Sequence, residues 1–113
     1  MIDKLDSSSN ITILDCTLRD GGYYNKWDFD REIVERYLTA VNTSSVDVVE
    51  LGFRSLPQKT FMGPYAYTTD EFISQLNLPE GPIYAVMIDG KEFIQNIDST
   101  ESIINNALDL LDE

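Results

Sequence analysis

Three short apolar runs punctuate the chain: Ile11 to Leu14, Val46 to Leu51 and Ile83 to Ile88. Each is rich in β-branched residues and of strand length. Between and after them, apolar positions recur at helical spacing. Ile33, Val34, Tyr37, Leu38 and Val41 share one face of a helix that Asp28 or Asp30 can cap. Phe72, Ile73 and Leu76 mark a shorter helix behind Thr69 or Asp70, stopped before Pro79. Ile103, Ile104, Ala107, Leu108 and Leu111 mark a third, opened by Ser99 or Thr100. The predicted order is strand then helix, three times over.

Such alternation implies parallel strands joined by right-handed crossovers. The stretches after the first two strands, Thr17 to Asp28 and Gly52 to Tyr67, are long and are expected as loops. The returns from helix to strand are shorter. In a (β/α)8 (TIM) barrel the loops after the strands form the working face, and three units make about three-eighths of the barrel. The expected fold class is therefore α/β: the N-terminal three β/α units of a TIM barrel, truncated. Residues 1–10 are expected as a flexible N-terminal segment and 11–113 as the partial-barrel domain. A small self-contained α/β domain, acting as an acidic binding or assembly module without catalysis, is the competing reading. Either way two strand edges stay open, so self-association through them is expected.

A length of 113 residues allows one ordinary domain, and 42% apolar residues suffice for a core. The net charge of −12 repels phosphate backbones and argues against nucleic acid. The charge is uneven: after Lys91 no basic residue follows. No apolar run is long enough to span a membrane, and residues 1–10 lack the core of a signal peptide. The one cysteine, Cys16, cannot form an internal disulfide, so a reduced cytoplasmic setting is expected. The absence of histidine removes Ser-His and Cys-His catalysis within this chain.

The densest polar cluster is Asp15-Cys-Thr-Leu-Arg-Asp-Gly-Gly-Tyr-Tyr24, at the end of the first strand. Gly21-Gly22 is expected to break the strand and let Arg19 and Asp20 turn toward one site. A carboxylate there suits Mg²⁺ or Mn²⁺, and a guanidinium suits a carboxylate or a developing enolate oxygen. A surface Arg–Asp pair beside a glycine turn is the plainer alternative. Glu50 is the odd member of an apolar strand and faces either the site mouth or a partner, Arg54 or Arg19. Asp89-Gly-Lys91 ends the third strand and reads as a site residue pair or a simple turn. Tyr23, Tyr24, Trp27 and Phe29 are expected to pack the first loop down. Met62 to Tyr67 reads as a mobile turn and candidate lid, and Cys16 as a packed thiol.

The stretch Leu14-Asp-Cys-Thr-Leu-Arg-Asp-Gly21 resembles the D-x-T-L-R-D-G signature of the HMG-CoA lyase-like aldolases, the DRE-TIM metallolyases. Val-Glu-Leu-Gly-Phe-Arg54 and Ala-Val-Met-Ile-Asp89 support the likeness, which covers about residues 11 to 91 in register and leans toward the branch of 4-hydroxy-2-oxovalerate aldolase. The resemblance implies a (β/α)8 barrel, a divalent metal (Mg²⁺ or Mn²⁺) with Asp20 as a ligand, and Arg19 stabilising an enolate oxygen. Glu50 is implied as a polar site residue. Tyr23 stands where aldolase members carry a histidine base, which makes it a catalytic candidate. The family's His-x-His metal pair has no counterpart here, since the chain holds no histidine. The implied substrate is a small 2-oxo acid or acyl-CoA, and the implied reaction makes or breaks a carbon–carbon bond. The 113-residue chain alone is expected to be inactive.

Overall fold

The computed structural model describes residues 11–94 and 100–112, so the 1–10 segment expected to be flexible lies outside it. Its centre is a sheet of β1 (Leu14–Asp15), β2 (Val48–Phe53) and β3 (Ile83–Met87), in that spatial order and all parallel. The helices are α1 (Thr17–Asn25), α2 (Arg31–Thr43), α3 (Asp70–Ser74), α4 (Lys91–Ile94) and α5 (Thr100–Leu111), with a 3₁₀ turn at Pro64–Ala66. The α/β class and the parallel sheet agree with the sequence pattern. Three strands do not close a barrel; they are compatible with one part of a larger α/β domain. Among the described residues no helix is long and apolar enough to cross a membrane.

β1 is shorter than its apolar run suggests. Leu14 pairs with Val48 and Asp15 with Val49, while Ile11 and Ile13 precede the strand and stay exposed. The Asp47 carboxylate takes the Ile13 amide at 2.8 Å. The amides of Asp47 and Val48 both turn to the Ile13 carbonyl. Regular pairing therefore starts one residue later. β2 starts and ends two residues later than expected, and β3 stops at Met87 rather than Ile88.

Val49 and Leu51 are fully buried and share one core with Val34, Leu38 and Val41 of α2. Asp30, not Asp28, caps α2 by accepting from the Glu32 and Ile33 amides. Ile33, expected on the packed stripe, is exposed. Thr69 caps α3 through the Phe72 amide. In α5 the packed side is Ile103, Ala107 and Leu110, whereas Ile104, Leu108 and Leu111 of the expected stripe are exposed. Of the two candidate openers of α5, Ser99 lies outside the described residues.

The largest correction concerns residues 17–28, loop-like and glycine-rich in sequence but mostly helix. Gly21-Gly22 does not break the chain direction; both glycines lie inside α1. Asp15 Oδ1 accepts from the Thr17 amide at 2.9 Å and from the Tyr37 hydroxyl, tying the helix start to β1 and α2. A Cβ on Gly22 would stand 1.9 Å from the Trp27 ring, so glycine here makes room for the indole. The helix ends where Lys26 and Trp27 both take φ of 58°, and both amides turn back to the Gly22 carbonyl. The indole Nε1 then donates to the Arg19 carbonyl at 2.8 Å.

The expected lid, Met62 to Tyr67, is also packed rather than open. Gly63 donates to the Lys26 carbonyl at 2.7 Å and Tyr65 to the Trp27 carbonyl at 3.2 Å. Tyr65 and Ala66 are buried, and the Tyr65 ring meets Phe29 and Phe72 edge to face.

Candidate functional site

Parallel pairing brings the C-terminal ends of all three strands to one edge of the sheet. The signature after β1 reaches that edge on a helix rather than a loop, and this decides which residues meet. Residues four apart share a helix face. Arg19 and Tyr23 therefore project together, as do Cys16 and Asp20.

The first face lies against β2 in two rungs. In the first, Arg19 Nε meets Glu50 Oε2 at 2.5 Å. Glu50 is 6% exposed, whereas the Arg19 side chain keeps 25% exposure. The contact is a charge pair rather than an aligned hydrogen bond, and neither atom has a hydrogen-bond partner among the described residues. Burial opposes the Arg19 charge, but Glu50 opposite it, with Cys16 and Asp20 nearby, outweighs burial, so the guanidinium holds its proton more firmly than usual. Glu50 thus has the partner role foreseen as its alternative, with Arg19 and not Arg54.

The second rung is Tyr23 with Phe53, their ring centres 6.3 Å apart. Glu50 and Phe53 are three residues apart, which in a regular strand would put them on opposite faces. From Glu50 to Phe53 β2 advances three residues, while β3 advances two, from Ala85 to Met87. The extra residue turns Phe53 to the Glu50 side. Gly52, with φ of 143°, absorbs the irregularity; a Cβ there would stand 2.1 Å from the Tyr65 carbonyl oxygen.

Asp20 is exposed on the other face of α1, its Oδ2 accepting from the Cys16 thiol at 3.3 Å. That hydrogen bond pushes the thiol's titration up, so Cys16 is a protonated donor. Among the described residues no group of three or more His, Cys, Asp or Glu side chains could hold a metal ion. Asp20 offers one carboxylate, which falls short of a Mg²⁺ or Mn²⁺ site.

Tyr23 and Asp89, from two separate sequence clusters, come together in a cavity of about 150 Å³ beside the second rung. Trp27, Phe53, Gln58 and Glu92 also line it. Asp89 Oδ1 accepts the Lys91 amide at 3.0 Å, so this cluster also makes the turn into α4. Glu92 accepts from the Leu56 amide at 3.2 Å and from Gln58 Nε2 at 2.7 Å. Burial nonetheless pushes its carboxyl above the usual range. Lys91 lines an adjoining groove with Lys59. Gln58 and Glu92 carry no motif, and they are legible only as polar residues just beyond two strand ends.

No protein-family model and no curated protein matches this chain. Among solved structures it is similar to the N-terminal domain of a putative aldolase from Bacteroides vulgatus, at 35% identity and a TM-score of 0.68. The match covers 89% of this chain and 33% of that one, so this chain spans about a third of the length of the solved chain. The similarity supports a relation of this chain to that putative aldolase.

Proposed function

We propose that this chain is the N-terminal β/α part of an HMG-CoA lyase-like aldolase on a (β/α)8 barrel. The parent makes or breaks a carbon–carbon bond through the enolate of a 2-oxo acid or an acyl-CoA. The similarity to part of a putative aldolase supports the enzyme class. The observation that carries the chemistry is the Arg19–Glu50 pair at 2.5 Å, between the helix that follows β1 and the middle of β2.

An enolate needs fixed positive charge at its oxygen. Glu50 holds the Arg19 guanidinium at Nε from one side, and the partly exposed remainder is left to meet a substrate oxygen. Glu50 is then a positioning residue rather than a free base. Tyr23, one helical turn further on, offers a hydroxyl that can hold or donate a proton on the same face. Asp20 is the carboxylate this segment would bring to a divalent cation whose other ligands lie elsewhere. No step assigned to Arg19, Glu50 or Tyr23 depends on that ion.

Oxalate, a planar mimic of a pyruvate enolate, tests the role of Arg19. Titrated into the chain, it is expected to give a saturable shift of the Arg19 Nε–Hε NMR signal. Arg19→Lys should abolish binding as read by calorimetry. Undiminished binding to the variant would take Arg19 out of the site. Retro-aldol release of pyruvate from 4-hydroxy-2-oxo acids by the 113-residue chain itself would overturn its assignment as an inactive part of the enzyme.

A further inference from the structure

The cavity beside the second rung shares Tyr23 with the proposed enolate site, but the rest of its lining has a composition that oxyanion chemistry does not use. Tyr23, Trp27 and Phe53 line it with ring centres 4.8, 5.5 and 6.3 Å apart and planes inclined at 65°, 83° and 86°. Three rings at such steep mutual angles make a corner. The other side carries Asp89 and Glu92; Lys59 and Lys91 border the same two carboxylates in the adjoining groove, but no lysine or arginine lines the cavity itself. Neither carboxylate forms an ion pair among the described residues. The Leu56 amide and the Gln58 side chain hold Glu92 in place without cancelling its charge. An anion would meet two like charges here, and a neutral apolar group would gain no attraction from them. A positively charged group with an apolar skin satisfies both walls: ring faces attract it through their quadrupoles and the carboxylates by charge.

We propose that this cavity binds an organic cation of the methylated ammonium class. The inference rests on the cavity alone and stands whatever reaction the parent catalyses.

Trp27 is the one tryptophan of the chain, so its emission reports on the site directly. The experiment titrates choline chloride against its neutral isostere 3,3-dimethyl-1-butanol, at ionic strength matched with sodium chloride. Choline is expected to change Trp27 emission saturably, with an apparent affinity about tenfold or more above that of the isostere. Glu92→Gln, which keeps the amide-accepting oxygen but loses the charge, should weaken choline severalfold. Tyr23→Leu removes an exposed ring without opening the core and should weaken it similarly. Equal responses to choline and its isostere, no saturable response to choline, or undiminished binding to both variants would overturn the proposal.

Discussion

Two arginines sit near the strand-end edge, each beside a carboxylate, and they do different work. Arg54 is 4% exposed, and each of its three nitrogens has an acceptor in the protein. Nε donates to the Thr68 carbonyl, Nη1 to the Leu111 carbonyl and Nη2 to Asp70. It ties the end of β2 to the start of α3 and the end of α5. Arg19 is pinned at one nitrogen by Glu50 and keeps a quarter of its exposure. The difference teaches that saturation, not burial or charge alone, separates a structural arginine from one with donors to offer a substrate.

Arg54→Met should have the largest effect, because it strands two carbonyls and an acid at once. A loss of about 3–5 kcal/mol is expected in urea unfolding. Arg19→Met should cost less, about 2–3 kcal/mol, by leaving Glu50 buried without its counter-charge. Adding Glu50→Gln to it should restore part of that loss, and a purely additive double mutant would show that the two side chains do not couple.

Tyr37→Phe tests the anchor of α1, the helix that carries Arg19, at about 1 kcal/mol near neutral pH. Burial disfavours the Asp15 charge, but the Tyr37 hydroxyl and the Thr17 amide outweigh it, so this carboxyl titrates below its ordinary 3.8. Its stabilisation is therefore fully present above about pH 4 and is lost as pH falls through the lowered value. In Tyr37→Phe the acid limb of a stability–pH profile should flatten, and an unchanged limb would remove Asp15 as its source. Asp70→Asn should do least, below about 0.5 kcal/mol in Tm-derived stability, because Asp70 is solvent-facing and Arg54 keeps both carbonyls.

Much of the fold was legible in the sequence because apolar runs and helix caps are local signals. The three strands lie within two residues of their apolar runs, and Asp30 and Thr69 cap as their positions suggest. α1 was not legible, because Gly21-Gly22 lowers helix propensity and its compensation comes from Trp27 packing into the space at Gly22. Arg19 and Glu50 stood out as charges at strand ends, yet their pairing was one of two alternatives. The role of Arg54 escaped notice since its Leu111 acceptor is a backbone carbonyl 57 residues away. The cavity's aromatic crowding was visible in Tyr23 and Trp27. Phe53 of β2, and the other wall from the β3–α4 turn and α4, are brought near only by the tertiary fold.

A strand has a reading frame of two, and Gly52 acts in β2 as an insertion that shifts it. Upstream of it the frame aims Glu50 at α1; downstream the shifted frame aims Phe53 at the same helix. Deleting Gly52 would restore an uninterrupted frame and turn Phe53 and Arg54 over together. The aromatic ring would leave its rung, and the saturated arginine would leave its three acceptors. Compensation would then require a second single-residue change of length nearby rather than any substitution.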